Sequence, residues 1–235
     1  MEKIIITLFF IIFIIPNLAI SFTLSDLDNK DGIYYLKSSS EPFTGKVSGK
    51  SKGKFKNGKM DGEWLFFNKK GTLKFKENYK NGIKNGLFEK FYNITGELFT
   101  RDYYDNGVWN GPSEVYHRNG KLGAKGNVSN EIQVGMWEFY YDNGVVSSKG
   151  YYDKGKMDGI WIQFYYDGQI LSLTNYKKGE KHGKFENFQK NGKLSFRGEY
   201  NFGLKTGIWK FYKNNGSLDY ENKYKNGTLE VHSDY

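Results

Sequence analysis

The sequence predicts an all-β fold, an elongated single-layer array of about seven 24-residue antiparallel β-hairpins that forms a twisted meander. Three observations support this prediction. Glycine, aromatic and aliphatic residues recur at a fixed spacing, which is the sign of a repeat architecture. Short runs rich in aromatic and β-branched residues favour strands. Asn-Gly and Asp-Gly pairs lie between these runs and are typical of hairpin turns.

Two columns of residues define the repeat. The first is a glycine that recurs every 24 residues, apart from one spacing of 25. The second lies two residues later and is aromatic in all units but one. Because a 24-residue period is even, equivalent side chains can return to the same face of the sheet. The paired positions are Gly62 and Trp64, Gly86 and Phe88, Gly111 and Ser113, Gly135 and Trp137, Gly159 and Trp161, Gly183 and Phe185, and Gly207 and Trp209.

Each unit is predicted to hold two strands, a short aromatic one such as 137–141 and a second such as 194–200. Between them, pairs such as Asn143-Gly144 are expected to form tight type I′ turns. Pairs such as Asn81-Gly82 are expected to connect one unit to the next. The extra residue of the 25-residue unit falls in the turn 93–96, where a loop can absorb it. A single hairpin is marginal in water, so neighbouring units must bury the aromatic columns together.

The N-terminus is predicted to be a targeting segment. An apolar run at 4–15 is too short to span a bilayer alone, and a small-x-small site follows at 19–21. These features predict a signal peptide, with an uncleaved anchor as the alternative, and therefore export to the periplasm, the envelope or the medium. The expected segments are a signal peptide at 1–21, a lead-in or cap at 22–42, the repeat array at 43–229 and a C-terminal tail at 230–235.

The formal net charge of +9 has two interpretations. Lysines cluster in the N-terminal third of the chain. One interpretation is a solvated strand edge, since edge lysines block aggregation. The other is a contact surface for an anionic lipid or polysaccharide. No nucleic-acid partner is expected, because export argues against one and the aromatic columns are needed for packing. The candidate polyanion-binding residues are Lys46, Lys50, Lys52, Lys54, Lys56 and Lys59.

No residue pattern indicates catalysis, a metal site or a cofactor. The chain has no cysteine, and His117, His182 and His232 lack the spacing of metal ligands. The segment 49–53 matches a nucleophile-elbow pattern, which requires a strand–turn–helix context that the sequence does not predict. His182 shares a column with Asp61, and both are expected in repeat turns. We therefore expect a protein that is not an enzyme and holds no cofactor.

The unit at 110–134 departs most from the repeat. Ser113 replaces the aromatic residue, Val128 replaces a tyrosine, and Pro112 removes a backbone donor. One interpretation is a degenerate repeat, and the other is a kink or a partner site.

The pattern Gly-x-Trp-x-x-Tyr, Asn-Gly, Leu, Tyr-Lys-Asn-Gly resembles the bacterial MORN-repeat variant. It looks like the group of YwqK-like antitoxins of toxin–antitoxin systems. The stretches 61–82 and 158–179 show the pattern best, and the resemblance covers 43–229. It implies a non-catalytic scaffold with a macromolecular partner, first of all a protein such as a toxin. The alternative is an envelope binder of anionic lipid or polysaccharide. Pairing with a second copy by an edge or a face is also open.

Overall fold

The computed structural model describes residues 21–235. The predicted signal peptide lies outside the described residues, apart from its last residue, Ser21. No helix within 21–235 has the length and apolar character needed to cross a bilayer. The described chain is almost entirely β-structure, with one 3-10 turn at Leu24–Asp26.

Twenty strands follow one another along residues 21–235. They are β1 (Phe22–Thr23), β2 (Leu27–Lys30), β3 (Ile33–Leu36), β4 (Gly45–Ser48), β5 (Ser51–Lys56), β6 (Lys59–Phe67), β7 (Leu73–Lys80), β8 (Ile83–Phe91), β9 (Leu98–Asp105), β10 (Val108–Tyr116), β11 (Leu122–Ser129), β12 (Ile132–Tyr140), β13 (Val146–Asp153), β14 (Lys156–Phe164), β15 (Ile170–Lys177), β16 (Glu180–Phe188), β17 (Leu194–Asn201), β18 (Leu204–Tyr212), β19 (Leu218–Lys225) and β20 (Thr228–Asp234).

One long sheet contains 18 of the strands in the described chain. From β4 to β20, each strand pairs antiparallel with the next one in sequence. Strand β1 adds to β4 in parallel, and β2 and β3 form a separate hairpin. This order confirms the predicted all-β array of antiparallel hairpins, in which each unit contacts only its neighbours.

The first strand of each unit is longer than predicted. In the first unit, β6 begins at Lys59, five residues before Trp64, and Gly62 lies inside the strand with φ +76°. The pairing with β5 shifts register at this point, which marks a β-bulge. Asp61 and His182 therefore lie within strands beside a bulge, and their prediction as turn residues was wrong.

The turns within units also differ from the prediction. In the fourth unit, the Tyr141 amide donates to the Val145 carbonyl, and the Gly144 amide donates to the Tyr141 carbonyl. Gly144 has a positive φ, whereas Asn143 does not. This geometry is a three-residue loop closed by a glycine bulge, so the type I′ prediction was wrong there. Turns of type I′ lie between units instead, as at Asn81-Gly82, where both φ values are positive.

The extra residue of the 25-residue unit lies where the sequence predicted. The Tyr92 amide donates to the Glu97 carbonyl across a four-residue loop. In the preceding unit, the Asn68 amide donates to the Thr72 carbonyl across a three-residue loop. The strands on either side keep the lengths seen in other units.

The buried side chains lie mainly on one face of the sheet, here called the aromatic face and defined by the column from Trp64 to Trp209. Trp64 and Trp209 are 0% exposed although the sheet is a single layer, because aromatic neighbours on the same face cover them. At the N-terminal end, Leu27 and Phe43 from the segment before β4 pack onto this face against Phe55 and Trp64. The predicted lead-in segment thus contributes to the core.

Candidate interaction surfaces

Each tryptophan of the aromatic face lies over a glycine of the preceding strand. A β-carbon on Gly150 would meet the Trp161 ring at 2.3 Å, and the Trp161 Nε1 donates to the Tyr151 carbonyl at 3.1 Å. The same arrangement recurs in three more units. This glycine column was not predicted from the sequence, although each member lies eleven residues before its tryptophan. The four pairs are Gly53 with Trp64, Gly126 with Trp137, Gly150 with Trp161, and Gly198 with Trp209.

Units without tryptophan have a larger residue in place of the glycine. Phe185 lies opposite Thr174. In the divergent unit, Ser113 is 3% exposed and donates to Asp102 at 2.6 Å. Trp109 packs against the same cluster as Val128 and replaces part of the lost indole. Strands β10 and β11 remain paired, so the divergence is a compensated exchange without a break in the sheet.

One side chain per unit connects neighbouring hairpin loops. The Tyr141 hydroxyl donates to the Phe164 carbonyl at 2.7 Å, and Tyr165 repeats the contact one unit later. His117 occupies the same column, with its Nε2 2.9 Å from the Tyr140 carbonyl. Since a carbonyl only accepts, this contact requires the tautomer that carries a proton on Nε2. His117 is therefore a structural residue of the loop ladder.

The opposite face, here called the charged face, carries a continuous row of side chains that lie directly opposite one another across the strands. Charges of opposite sign alternate over much of the row. From β6 to β19 the row contains Leu65, Lys76, Glu89, Arg101, Glu114, Lys125, Glu138, Lys149, Ile162, Leu173, Glu186, Arg197, Lys210 and Glu221.

Several members of the row form ion pairs. Arg101 bridges Glu89 at 3.0 Å and Glu114 at 3.2 Å, and Lys125 contacts Glu138 at 2.8 Å. The hydrogen bond from Lys125, followed by that from Tyr140, lowers the pKa of Glu138 below its usual range. Such half-exposed pairs contribute little individually, but opposite charges across a strand pair favour this register.

The row is interrupted at its centre by an apolar patch. Ile162 and Leu173 lie directly opposite each other on β14 and β15. Beside them on the same face, Met136 is 53% exposed, Tyr151 is 54% exposed and Ile160 is 60% exposed. Met136 and Tyr151 are direct cross-strand partners. These five residues are called the apolar patch. Charged members of the row lie on both sides of it.

The charges next to the apolar patch are unpaired. Lys149, Glu186 and Arg197 make no ion pair with another side chain in the part of the chain that the structure describes. An apolar centre with available charges around it has the anatomy of a protein-binding surface.

The candidate lysines form a second feature of the charged face, called the basic patch. All six are exposed, and Lys50 lies in the turn between β4 and β5. The other five lie on β4, β5 and β6, where alternation places them opposite the face that holds Phe55. They are Lys46, Lys52, Lys54, Lys56 and Lys59.

Like charges face each other within the basic patch. Lys46 lies directly opposite Lys54, and Lys56 lies opposite Lys59. One carboxylate, Asp61, also lies opposite Lys54. Like charges directly opposite one another destabilise a sheet, so this arrangement differs from the alternating row.

The remaining chemical candidates are part of the scaffold. Ser51, within the nucleophile-elbow pattern, begins β5 after a strand and a turn. His232 lies on β20, where its Nδ1 contacts Asn222 and its Nε2 contacts Asp234. The His182 ring packs against Phe202 at 4.4 Å. Within residues 21–235 no group of three potential ligands could hold a metal ion.

Comparison with protein families identifies the repeat. The sequence model described as the MORN repeat variant matches residues 60–81, 133–154, 157–178, 181–201 and 205–226. These segments fall in five of the seven structural units. The other two units contain the four-residue loop and Ser113. No curated protein matches the chain.

Proposed function

We propose that this MORN-repeat chain is a non-catalytic, exported scaffold that binds a protein through the apolar patch of its charged face. The observation that carries the proposal is the exposure of Met136, Tyr151 and Ile160 on the consecutive strands β12, β13 and β14 of one face. Contiguous exposed apolar residues with a polar rim mark interaction sites on soluble proteins. The predicted signal peptide supports export.

The location of the apolar patch suits an extended partner. Ile162 and Leu173 interrupt a charge row that crosses the sheet. A few residues near the centre of an interface, tyrosine and arginine prominent among them, supply most of the binding energy, while the surrounding charges set orientation. The resemblance to YwqK-like antitoxins makes a toxin the first class of protein partner to test.

Site-specific photo-crosslinking in the source cells tests this function. A photoreactive amino acid replaces Ile160 in the apolar patch, and in a control strain it replaces Ile94, which is 85% exposed in a loop. We expect discrete protein adducts at position 160 that are absent at position 94. If position 160 gives no protein adduct, the apolar patch is not a protein-binding site.

A second function, binding of an anionic lipid or polysaccharide, is favoured by the basic patch. Its two like-charge pairs, Lys46 with Lys54 and Lys56 with Lys59, cost stability that an anionic ligand would offset. A contact of this kind weakens sharply as ionic strength rises.

Vesicle flotation tests the second function. The protein is mixed with vesicles of phosphatidylcholine alone or with phosphatidylglycerol added, at low and high salt. Changing the basic-patch lysines on β4–β6 to glutamine should abolish binding to the anionic vesicles. A control variant with the same loss of charge should still bind. If both variants lose binding to the same extent, the net charge of the protein and not the basic patch accounts for the binding. The control changes Lys154, Lys156, Lys178, Lys190 and Lys225, which are also exposed.

A further inference from the structure

We propose that the protein bound by the apolar patch is a second copy of this chain, docked face to face around a twofold axis parallel to the strands. The axis runs between β14 and β15. This inference rests on the proposed function of the apolar patch and names its partner. It is carried by the order of charges on either side of Ile162 and Leu173.

The charge order is self-complementary about this axis. The row reads Lys149, Ile162, Leu173, Glu186 from β13 to β16. A twofold rotation reverses the order of strands, so Ile162 of one copy meets Leu173 of the other. Lys149 of each copy then meets Glu186 of the other. Because the axis generates every contact twice, the dimer gains two such ion pairs.

The next positions in the row extend the match. Glu138 lies beyond Lys149, and Arg197 lies beyond Glu186. The same rotation places Glu138 of one copy against Arg197 of the other. Lys149, Glu186 and Arg197 form no ion pair within residues 21–235, so each is available to a partner.

A second row of the charged face adds one favourable contact about the same axis. Ile160 lies opposite Asn175, and Tyr151 and Lys184 lie farther out on either side. The rotation brings Lys184 of one copy to Tyr151 of the other, where an ammonium group can lie over the exposed ring. In the same row Ile160 meets Asn175 and Met136 meets Glu199, so the Lys184 and Tyr151 pair is the complementary contact of this row.

The other in-plane twofold axis does not fit. An axis perpendicular to the strands leaves the order of strands unchanged and places each residue of the row over its own copy. Lys149 would then face Lys149, and Glu186 would face Glu186. Like charges brought together at an interface lower the affinity strongly. The charge pattern therefore favours the axis parallel to the strands.

The charge pattern also limits the extent of the contact. Beyond the matched positions, Lys125 would meet Lys210. The favourable region therefore spans the six strands β12–β17. At a strand spacing of about 4.8 Å and a strand length of about 26 Å, this region covers roughly 750 Å². Standard-size interfaces bury roughly 600–1,000 Å² per partner, and the footprint of the matched region falls within this range.

A charge-exchange experiment on the full-length chain tests the dimer by sedimentation equilibrium. The chain mass is 27.3 kDa, and we expect twice that mass for the unchanged protein. Lys149→Glu places a carboxylate against Glu186 at two symmetric positions, and Glu186→Lys does the same with ammonium groups. Each variant should raise the dissociation constant at least about 30-fold. A 1:1 mixture of the two variants should restore the dimer, because positions 149 and 186 of the two chains then carry opposite charges at both contacts.

Lys52→Glu is the matched control. It makes the same charge change in an exposed lysine on the charged face, at β5 and outside the matched region. This variant should remain dimeric. Circular dichroism of every variant checks that the fold is retained, and restoration by mixing cannot arise from two misfolded chains.

The outcomes separate this inference from the proposed function. A monomeric unchanged protein overturns the dimer, as does a dimer that survives Lys149→Glu and Glu186→Lys or that mixing fails to restore. If the dimer fails while position 160 still crosslinks to a different protein, the scaffold function stands with another partner. If no protein adduct forms at position 160, both proposals fail.

Discussion

The indole of Trp161 lies where a side chain on Gly150 would have to be, since a β-carbon there would approach the Trp161 Cδ2 to 2.3 Å. The ring is 3% exposed and donates from Nε1 to the backbone of the same neighbouring strand. A glycine in one unit thus makes room for the largest side chain of the next. This relationship between adjacent strands explains how a single-layer sheet buries tryptophan.

Changing the glycine beneath the indole should destabilise the array. Gly150→Thr forces the Trp161 ring out of its position and should lower the free energy of unfolding by about 2 kcal/mol or more. Trp161→Phe alone should also destabilise the protein. The double variant reproduces the natural pair Thr174 and Phe185, so its loss should be smaller than the sum by about 1 kcal/mol or more. Urea unfolding measures the cycle, and strictly additive losses would contradict direct packing between the two positions.

The buried serine of the divergent unit should be needed for stability. Ser113→Ala removes the 2.6 Å hydrogen bond to Asp102 and leaves that carboxylate without the donor. We expect the free energy of unfolding to fall by about 1–3 kcal/mol. Ser129→Ala, at a half-buried site on β11, serves as the control and should change it by less than about 0.5 kcal/mol. Equal effects in thermal unfolding would show that Ser113 is only a spacer.

The ion pair of Lys125 and Glu138 should make stability depend on acid pH. The pKa of Glu138 is lowered from 4.5 in the folded protein, so its contribution is present above pH 4.5 and is lost as the pH falls through the folded value. Glu138→Gln should therefore lower the free energy of unfolding at pH 7 by about 0.5–1 kcal/mol. This difference should shrink as the pH falls below 4.5 and disappear once Glu138 is protonated in the folded protein.

Urea titrations between pH 3 and pH 7 measure the Glu138 effect. Glu180→Gln, at an exposed carboxylate on β16 that forms no ion pair within residues 21–235, is the control for the loss of one negative charge. A Glu138→Gln difference that persists at the acid end would indicate a packing effect in place of the ion pair.

Deletion of residues 135–158 should leave a folded protein that is shorter by one unit. The deletion removes one whole 24-residue period, so the remaining strands keep their faces and their pairing partners. We expect a cooperative urea transition whose m-value is smaller by roughly one tenth. Deletion of 23 residues would reverse the faces and should abolish folding, which provides the control. An unfolded 24-residue deletion would contradict nearest-neighbour stacking.

Much of the fold was predictable from residue spacing. Alternation of side chains along a strand predicts that Trp64 and Phe66 share one face and that Phe67 points to the other. The structure confirms both, with Trp64 stacked on Phe66 and the Lys52 ammonium over Phe67. The loop at 93–96 was predictable for the same reason, because only a loop tolerates one additional residue without reversing the faces.

The bulges were not predictable from the same pattern. Gly62 and the turn glycines look alike in sequence, and only the pairing of β5 with β6 shows that Gly62 lies inside a strand. Asn143-Gly144 and Asn81-Gly82 likewise share a sequence, but the number of loop residues that the flanking strands leave differs between them. Turn type therefore depends on where the strands end.

The candidate surfaces were only partly predictable. The sequence identified the lysines from Lys46 to Lys59 as a group, but it did not show that Lys46 lies opposite Lys54. It did not show the apolar patch either, because Met136 and Ile162 are 26 residues apart and lie in different units. Cross-strand register brings such residues together, and register is a property of the folded sheet.

The sequence by itself determined the repeat length, the number of units and which residues form the aromatic columns. A 24-residue hairpin cannot bury its aromatic residues alone, so stacking against neighbouring hairpins is required. The tertiary structure decided which strands carry bulges, which glycine lies beneath each indole, and how charges such as Lys149 and Glu186 flank the apolar patch. The reason is physical: local propensity acts along the chain, whereas register, side-chain fit and charge pairing act between strands that meet only after folding.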